Sequence, residues 1–307
     1  MSLADRTPPT VEEYRAYRER FSNWGRWGDD DQLGTLNFIT EETRRAAAAL
    51  VREGRSISLA NPLATAQVIP GHRNPTPADH RMNVGAMGSG DYIGVSYHGF
   101  VNTHIDALCH IFTEDGRLYN NRPASGVSEA GAAANSVDAW RDGIVTRGVL
   151  YDVARHRGVE YVPLDEPVHG WELQDIAAAE GVQPKPGDAV LVRCGASAFW
   201  SANPAFEPAW KAPGLHASVL EFLYEHDAAL LGWDLMEAPG QDDYRAPALP
   251  IHSIAIPYLG MPLLDNANFD EIAVACADLR RWEFQLVIAP LVVIGGTGSP
   301  VNPIAVI

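Results

Sequence analysis

Four apolar runs are spread over residues 148–294, and they limit the fold more than any other feature. Residues 148–153 and 189–193 read as buried strands, with a helix over 170–180 between them. Residues 215–225 read as a helix, 228–233 as another apolar strand, 269–282 as a helix and 283–294 as a long closing strand. Several strand pairs lack a helix between them, so a mixed α/β sheet with flanking helices is predicted rather than a doubly wound one. Upstream, 11–21 and 41–52 read as helices, the second with Thr40 placed to cap it and Glu41 and Glu42 in its first turn. Residues 56–63 read as a strand. Residues 64–91 are loop-like and read as a flap over a site. The expected organisation is an N-terminal helical extension, residues 1–55, followed by one α/β domain, residues 56–307.

Composition narrows the function classes. A formal charge of −16 would repel nucleic acid and anionic membranes, so neither is an expected partner. The three cysteines, Cys109, Cys194 and Cys276, are far apart and form no CxxC pair, so neither a disulfide framework nor a zinc ribbon is indicated. Residues 1–18 carry no apolar segment of a secretory signal, and the most apolar run, 286–294, contains Pro290 and is far too short to span a membrane. A soluble cytoplasmic enzyme acting on a small molecule is the expectation.

The chemistry concentrates in residues 97–110, where His98, His104 and His110, three of the ten histidines, lie with Asp106. Residues 95–101 read as a strand and 106–112 as a helix opening on an acidic residue. Side chains two apart on a strand share a face, which aligns His104 with Asp106. Side chains four apart on a helix share one too, which brings Asp106 to His110. The junction would converge imidazoles and a carboxylate on one point.

Competing constellations fail. Gly195-Ala196-Ser197-Ala198-Phe199 lacks the second glycine of a nucleophile elbow, and no Walker A sequence is present. Imidazole and carboxylate are ligands suited to zinc, manganese or iron(II). Such a metal lowers the pKa of bound water from about 15.7 towards 7. A histidine outside the coordination shell, best His110, would shuttle protons.

Thr103-His104-Ile105-Asp106-Ala107-Leu108-Cys109-His110 resembles the H-x-G-T-H-x-D-x-x-x-H signature of the cyclase family, which includes bacterial kynurenine formamidase and isatin hydrolase. Further matches, among them Gly34-Thr35-Leu36-Asn37 and Pro262-Leu263-Leu264-Asp265-Asn266, extend the resemblance over most of residues 20–307, as in the longer members. The resemblance implies a swivelling β/β/α domain, a divalent metal (zinc or manganese), a homo-oligomer (dimer or tetramer) and metal-dependent hydrolysis of an amide, lactam or lactone. It implies metal ligation by His104 and Asp106, acid–base work by His110, a site role for His252, and a ligating carboxylate at Asp265. The family's first ligand lies four residues before its second, and here that position is Phe100. His98, two residues further back, either replaces that ligand or lines the substrate pocket. His216, Phe100 and Asn102 are candidates for the substrate side. Two alternatives stand beside hydrolysis: a lyase or cyclase using the same metal, and a non-catalytic homologue.

Overall fold

Alternation within the apolar runs sends successive side chains to opposite faces of one sheet. The computed structural model describes residues 2–65, 77–204, 212–238, 241, 244 and 249–307. Its strands begin with β1 (Ser56–Ser58), β2 (Asp79–Val84), β3 (Ser89–Gly94) and β4 (His104–Asp106). Two short hairpins follow, β5 (Arg117–Leu118) with β6 (Arg122–Pro123) and β7 (Val127–Ser128) with β8 (Gly131–Ala132). Then come β9 (Ile144–Asp152), β10 (Ala189–Arg193), β11 (Leu230–Trp233) and β12 (Leu263–Asp265). The last three are β13 (Glu283–Ile288), β14 (Gly298–Pro300) and β15 (Ile304–Val306).

Nine of these strands form one sheet in the order β1-β15-β13-β9-β10-β11-β12-β4-β14. The central run β9-β10-β11-β12 is parallel and the flanking pairs are antiparallel, giving the predicted mixed sheet. One face carries Tyr151, Val192, Trp233 and Leu263 into a core with the helices Val11–Arg20, Gly170–Glu180 and Val219–Glu225. The other carries Leu150, Leu191, Leu264 and Phe284 into a second core with the helix Asp270–Leu279. Full burial of each such Leu, Val or Phe contributes about 1.5–3 kcal/mol before entropy is counted.

Local rules explain where the helices sit. Gly170–Glu180 buries Leu173, Ile176 and Ala177 on one stripe and ends on Gly181 in the left-handed region, φ 67°, which glycine adopts without strain. Glu41–Ala48 starts at Thr40, whose hydroxyl accepts from the Thr43 amide as predicted.

Several expectations are corrected. Residues 95–101 are irregular rather than a strand, and no helix follows Asp106; a turn closes with the His110 amide donating to the Ala107 carbonyl, 3.0 Å. The strand over 56–63 shortens to β1. The closing strand ends at Ile288, because Pro290 cannot donate to a ladder, and the tail beyond it adds β14 and β15. Of the flap, 66–76 lie outside the described residues, while β2 and β3 form an exposed antiparallel hairpin instead of a loop. No helix among the described residues is long and apolar enough to cross a membrane.

Candidate metal centre

β4 and β12 pair antiparallel with His104 opposite Asp265 and Asp106 opposite Leu263. Strand alternation buries Ile105 and Leu264 in the second core and turns His104, Asp106 and Asp265 to the other face, beside Trp233 and His252. The shared face predicted for His104 and Asp106 is therefore correct, and β12 adds the third side chain.

Asp106 is the hub. His98 Nδ1 lies 2.9 Å and His104 Nε2 3.4 Å from its Oδ1, while His252 Nε2 lies 3.6 Å and His110 Nε2 3.7 Å from its Oδ2. Asp265 Oδ2 is 3.3 Å from His252 Nε2 and 3.8 Å from His104 Nε2. Asp106, His104, Asp265 and His252 are all buried, whereas His98 and His110 stay about a quarter exposed and stack face to face at 3.8 Å. The cluster thus has a closed back and an open front.

Neighbours orient His104, Asp265, His98 and His252. His104 Nδ1 meets the Asn102 carbonyl at 2.8 Å, so Asn102 acts on the site through its backbone, while its side-chain oxygen accepts from the Ala64 amide. The Trp233 indole donates to Asp265 Oδ1 at 2.6 Å, and His98 Nε2 lies 3.1 Å from Thr297 Oγ1. His252 Nδ1 lies 2.7 Å from Glu237 Oε1. His98 reaches the hub because β14 presents Gly298 there: a Cβ at that position would lie 3.0 Å from His98 Cε1 and 2.4 Å from the Ile105 carbonyl. An alanine would displace one or the other.

Electrostatics separate the histidines. Burial opposes protonation of His104, but Asp106 and Asp265 outweigh it and raise its pKa. His252 is likewise raised well above the ordinary value, with Glu237 and Asp265 overcoming burial. Burial lowers His110 to about 4, against the pull of Asp106, so its imidazole is neutral at pH 7. Burial alone would raise Asp106, yet the surrounding imidazoles, His104 and His98 foremost, hold its carboxyl well below the usual range. Among the described residues, both Asp106 oxygens and His98 Nδ1 are buried without a partner of hydrogen-bond geometry, despite the 2.9 Å approach. A buried carboxylate so placed is costly unless a cation meets it. Two overlapping donor sets, His98/Asp106/His110 and His104/Asp106/Asp265, have ligand atoms close enough to hold one. The residues fit a divalent metal.

Two expected residues lie apart. Phe100 packs against the first core and lines a cavity of about 210 Å³ with Trp200, Asn266 and Phe269. His216 makes its contacts elsewhere: its Nδ1 accepts from the Ser218 amide at 3.1 Å, its Nε2 lies 3.3 Å from the Tyr244 hydroxyl, and its ring faces His169 at 4.5 Å. Glu237, Thr297 and Trp233 were missed; the acids closing the buried run, Asp234 and Glu237, were the only sequence signal.

His216 carries a pH prediction. Burial, with His169 adding to it, lowers its pKa to about 3. In the unfolded chain it titrates near about 6.5, so at pH 5 the unfolded state binds a proton that the folded state refuses. Its stabilising contribution is complete above pH 6.5 and is lost as pH falls towards 3. His216→Gln should reduce the drop in unfolding free energy between pH 7 and pH 5 by about 1–2 kcal/mol, measured by urea denaturation. An identical drop in both proteins would show that His216 is not held neutral.

The geometry can now be set beside known proteins. No curated protein sequence matches the chain. The crystal structure of a novel cyclase is 29% identical, with a TM-score of 0.83 over 94% of this chain and 99% of that one. Isatin hydrolase A from Labrenzia aggregata, bound to benzyl benzoate, is 20% identical over 84% of this chain and 94% of its own, with a TM-score of 0.60. Isatin hydrolase A from Ralstonia solanacearum is 20% identical over 87% and 97%, with a TM-score of 0.57. At that identity the two hydrolases speak for the fold, the swivelling β/β/α arrangement that the mixed sheet and its flanking helices build. The family model described as "Putative cyclase" matches residues 56–238, more than half of the chain and the span that holds β4 and its histidines. The chain belongs to the cyclase family.

Proposed function

We propose that this protein is a metal-dependent hydrolase that opens an amide, lactam or lactone bond in a small cyclic or N-acyl molecule. The carrying observation is Asp106, a buried carboxylate with no hydrogen-bond donor among the described residues and ringed by four imidazole nitrogens. His104, Asp106 and Asp265 would hold the metal at the back of the cluster, with His252 Nε2 beside both carboxylates as a further donor and His98 replacing the ligand that Phe100 cannot supply. Zinc or manganese suits this oxygen and nitrogen donor set. When bound, such a cation supplies Lewis acidity, polarising a carbonyl and making water acidic near neutral pH.

The remaining chemistry belongs to the chain. His110 stands at the open front, neutral at pH 7, and can take a proton from the attacking water. The imidazolium so formed is stabilised by Asp106 Oδ2, 3.7 Å away, until the proton passes to the leaving nitrogen or oxygen. Stacking on His98 holds the ring in place through this transfer. Asn102 fixes the orientation of His104, and Phe100 shapes the neighbouring cavity on the substrate side.

The test uses chelator-treated protein offered formyl anilides, isatin-like lactams and small lactones in ¹⁸O-water, with and without Mn²⁺ or Zn²⁺. Turnover that needs the metal and places one labelled oxygen in the product is expected. Product without label would favour the lyase or cyclase reading. Metal binding without turnover of any compound would favour a non-catalytic homologue.

A homo-oligomer is also proposed. Met82, Val84 and Ile93 on the β2–β3 hairpin, and Leu291, Val292 and Ile294 beyond β13, are each more than half exposed. Exposed apolar side chains grouped on one element in this way are candidates for subunit contacts. Sedimentation equilibrium giving the mass of a single chain would contradict this.

A further inference from the structure

Four side chains of the cluster, His98, His104, Asp265 and His252, have an orienting neighbour, and one of those neighbours is itself an acid. Glu237 is buried and follows β11 on a segment pinned to Leu215, with which it forms a parallel bridge. Its Oε1 accepts from the amides of Ile251 (3.2 Å) and His252 (2.9 Å) and lies 2.7 Å from His252 Nδ1. A carboxylate offers no hydrogen, so Nδ1 must carry the proton. That leaves Nε2 facing Asp265 Oδ2 at 3.3 Å and Asp106 Oδ2 at 3.6 Å. Glu237 Oε2 is buried with no hydrogen-bond partner among the described residues. Three carboxylates thus crowd one imidazole in a buried space.

From this geometry we infer that Glu237 is a positioning residue: it holds His252 in one tautomer and aims Nε2 at the space between Asp106 and Asp265. The inference rests on the metal-centre reading above. A carboxylate behind an imidazole makes it a better donor and locks its rotation, and loss of such a partner typically weakens metal binding about 10–100-fold. The same oxygen anchors the chain at residues 251 and 252, so backbone and ring are placed together.

Glu237→Gln tests this, because the amide oxygen can still accept all three hydrogen bonds and the fold is preserved. Mn²⁺ alone is titrated into chelator-treated full-length protein, with thermal melting of the metal-free form as a control. Glu237→Gln is expected to bind Mn²⁺ about tenfold more weakly at an unchanged melting temperature, and Glu237→Ala up to about 100-fold more weakly. In a His252→Ala background, Glu237→Gln should add no further loss, since its effect runs through that ring. Unchanged affinity in Glu237→Gln, or a loss that persists without His252, would overturn the inference while leaving the metal centre standing. Wild-type protein that takes up no Mn²⁺ would overturn the metal-centre reading itself and this inference with it.

Discussion

Asp106→Asn is expected to strip the protein of its metal and lower turnover by about three decades or more, while leaving the fold intact. Asn keeps the shape of Asp and the backbone pairing of β4 with β12 and β14, so the sheet has no reason to open. The charge is what disappears. All four imidazoles of the cluster lie within 2.9–3.7 Å of this one carboxylate, and both donor sets share it. Removing the shared ligand therefore disables both sets at once. Lewis-acid assistance contributes several kcal/mol to a hydrolytic transition state, and each 1.36 kcal/mol is about tenfold in rate. Metal analysis, circular dichroism and kcat on the same preparation read the three outcomes together. A variant that keeps its metal would move the hub to another residue.

His110→Ala should lower kcat by about 10²–10⁴-fold with metal content unchanged. His110 is the most distant of the four imidazoles from Asp106 and, unlike His104 and His252, it is not deeply buried. Burial leaves it neutral at pH 7, the state a proton acceptor needs. Alanine also removes the ring that stacks on His98 at 3.8 Å, so His110→Phe is the companion variant. Phenylalanine retains a flat face and cannot carry a proton. Equal losses of kcat in both, with metal retained in both, identify proton transfer as the missing function. Loss of metal in either variant would make His110 a ligand instead.

The legible parts of the site were those governed by local periodicity. His104 and Asp106 share a face because strands alternate, and three residues of β4 suffice for that. His110 was placed beside Asp106 by helical spacing, and it is there, but a turn rather than a helix brings it back. His98 could not be placed from its own segment, which is irregular; Thr297 and Gly298, some two hundred residues away, decide where its ring goes. Glu237 left only the faint signal of an acid after a buried strand, since no local periodicity ties it to His252, fifteen residues further on.

The fold divides along similar lines. β10 and the helix Gly170–Glu180 came out at their predicted ends, because continuous apolar burial and a terminal glycine mark them. The β2–β3 hairpin was missed. Its residues are mostly polar and exposed, so no apolar alternation announces the ladder that its backbone forms.

The account turns on whether the cluster around Asp106 holds a divalent cation. Elemental analysis of wild-type protein purified without chelator, alongside Asp106→Asn prepared identically, tests this most directly. Stoichiometric zinc or manganese in the wild type and background levels in the variant are predicted. Equal metal in both, or a folded wild type that stays metal-free even after incubation with Zn²⁺ and Mn²⁺, would contradict it.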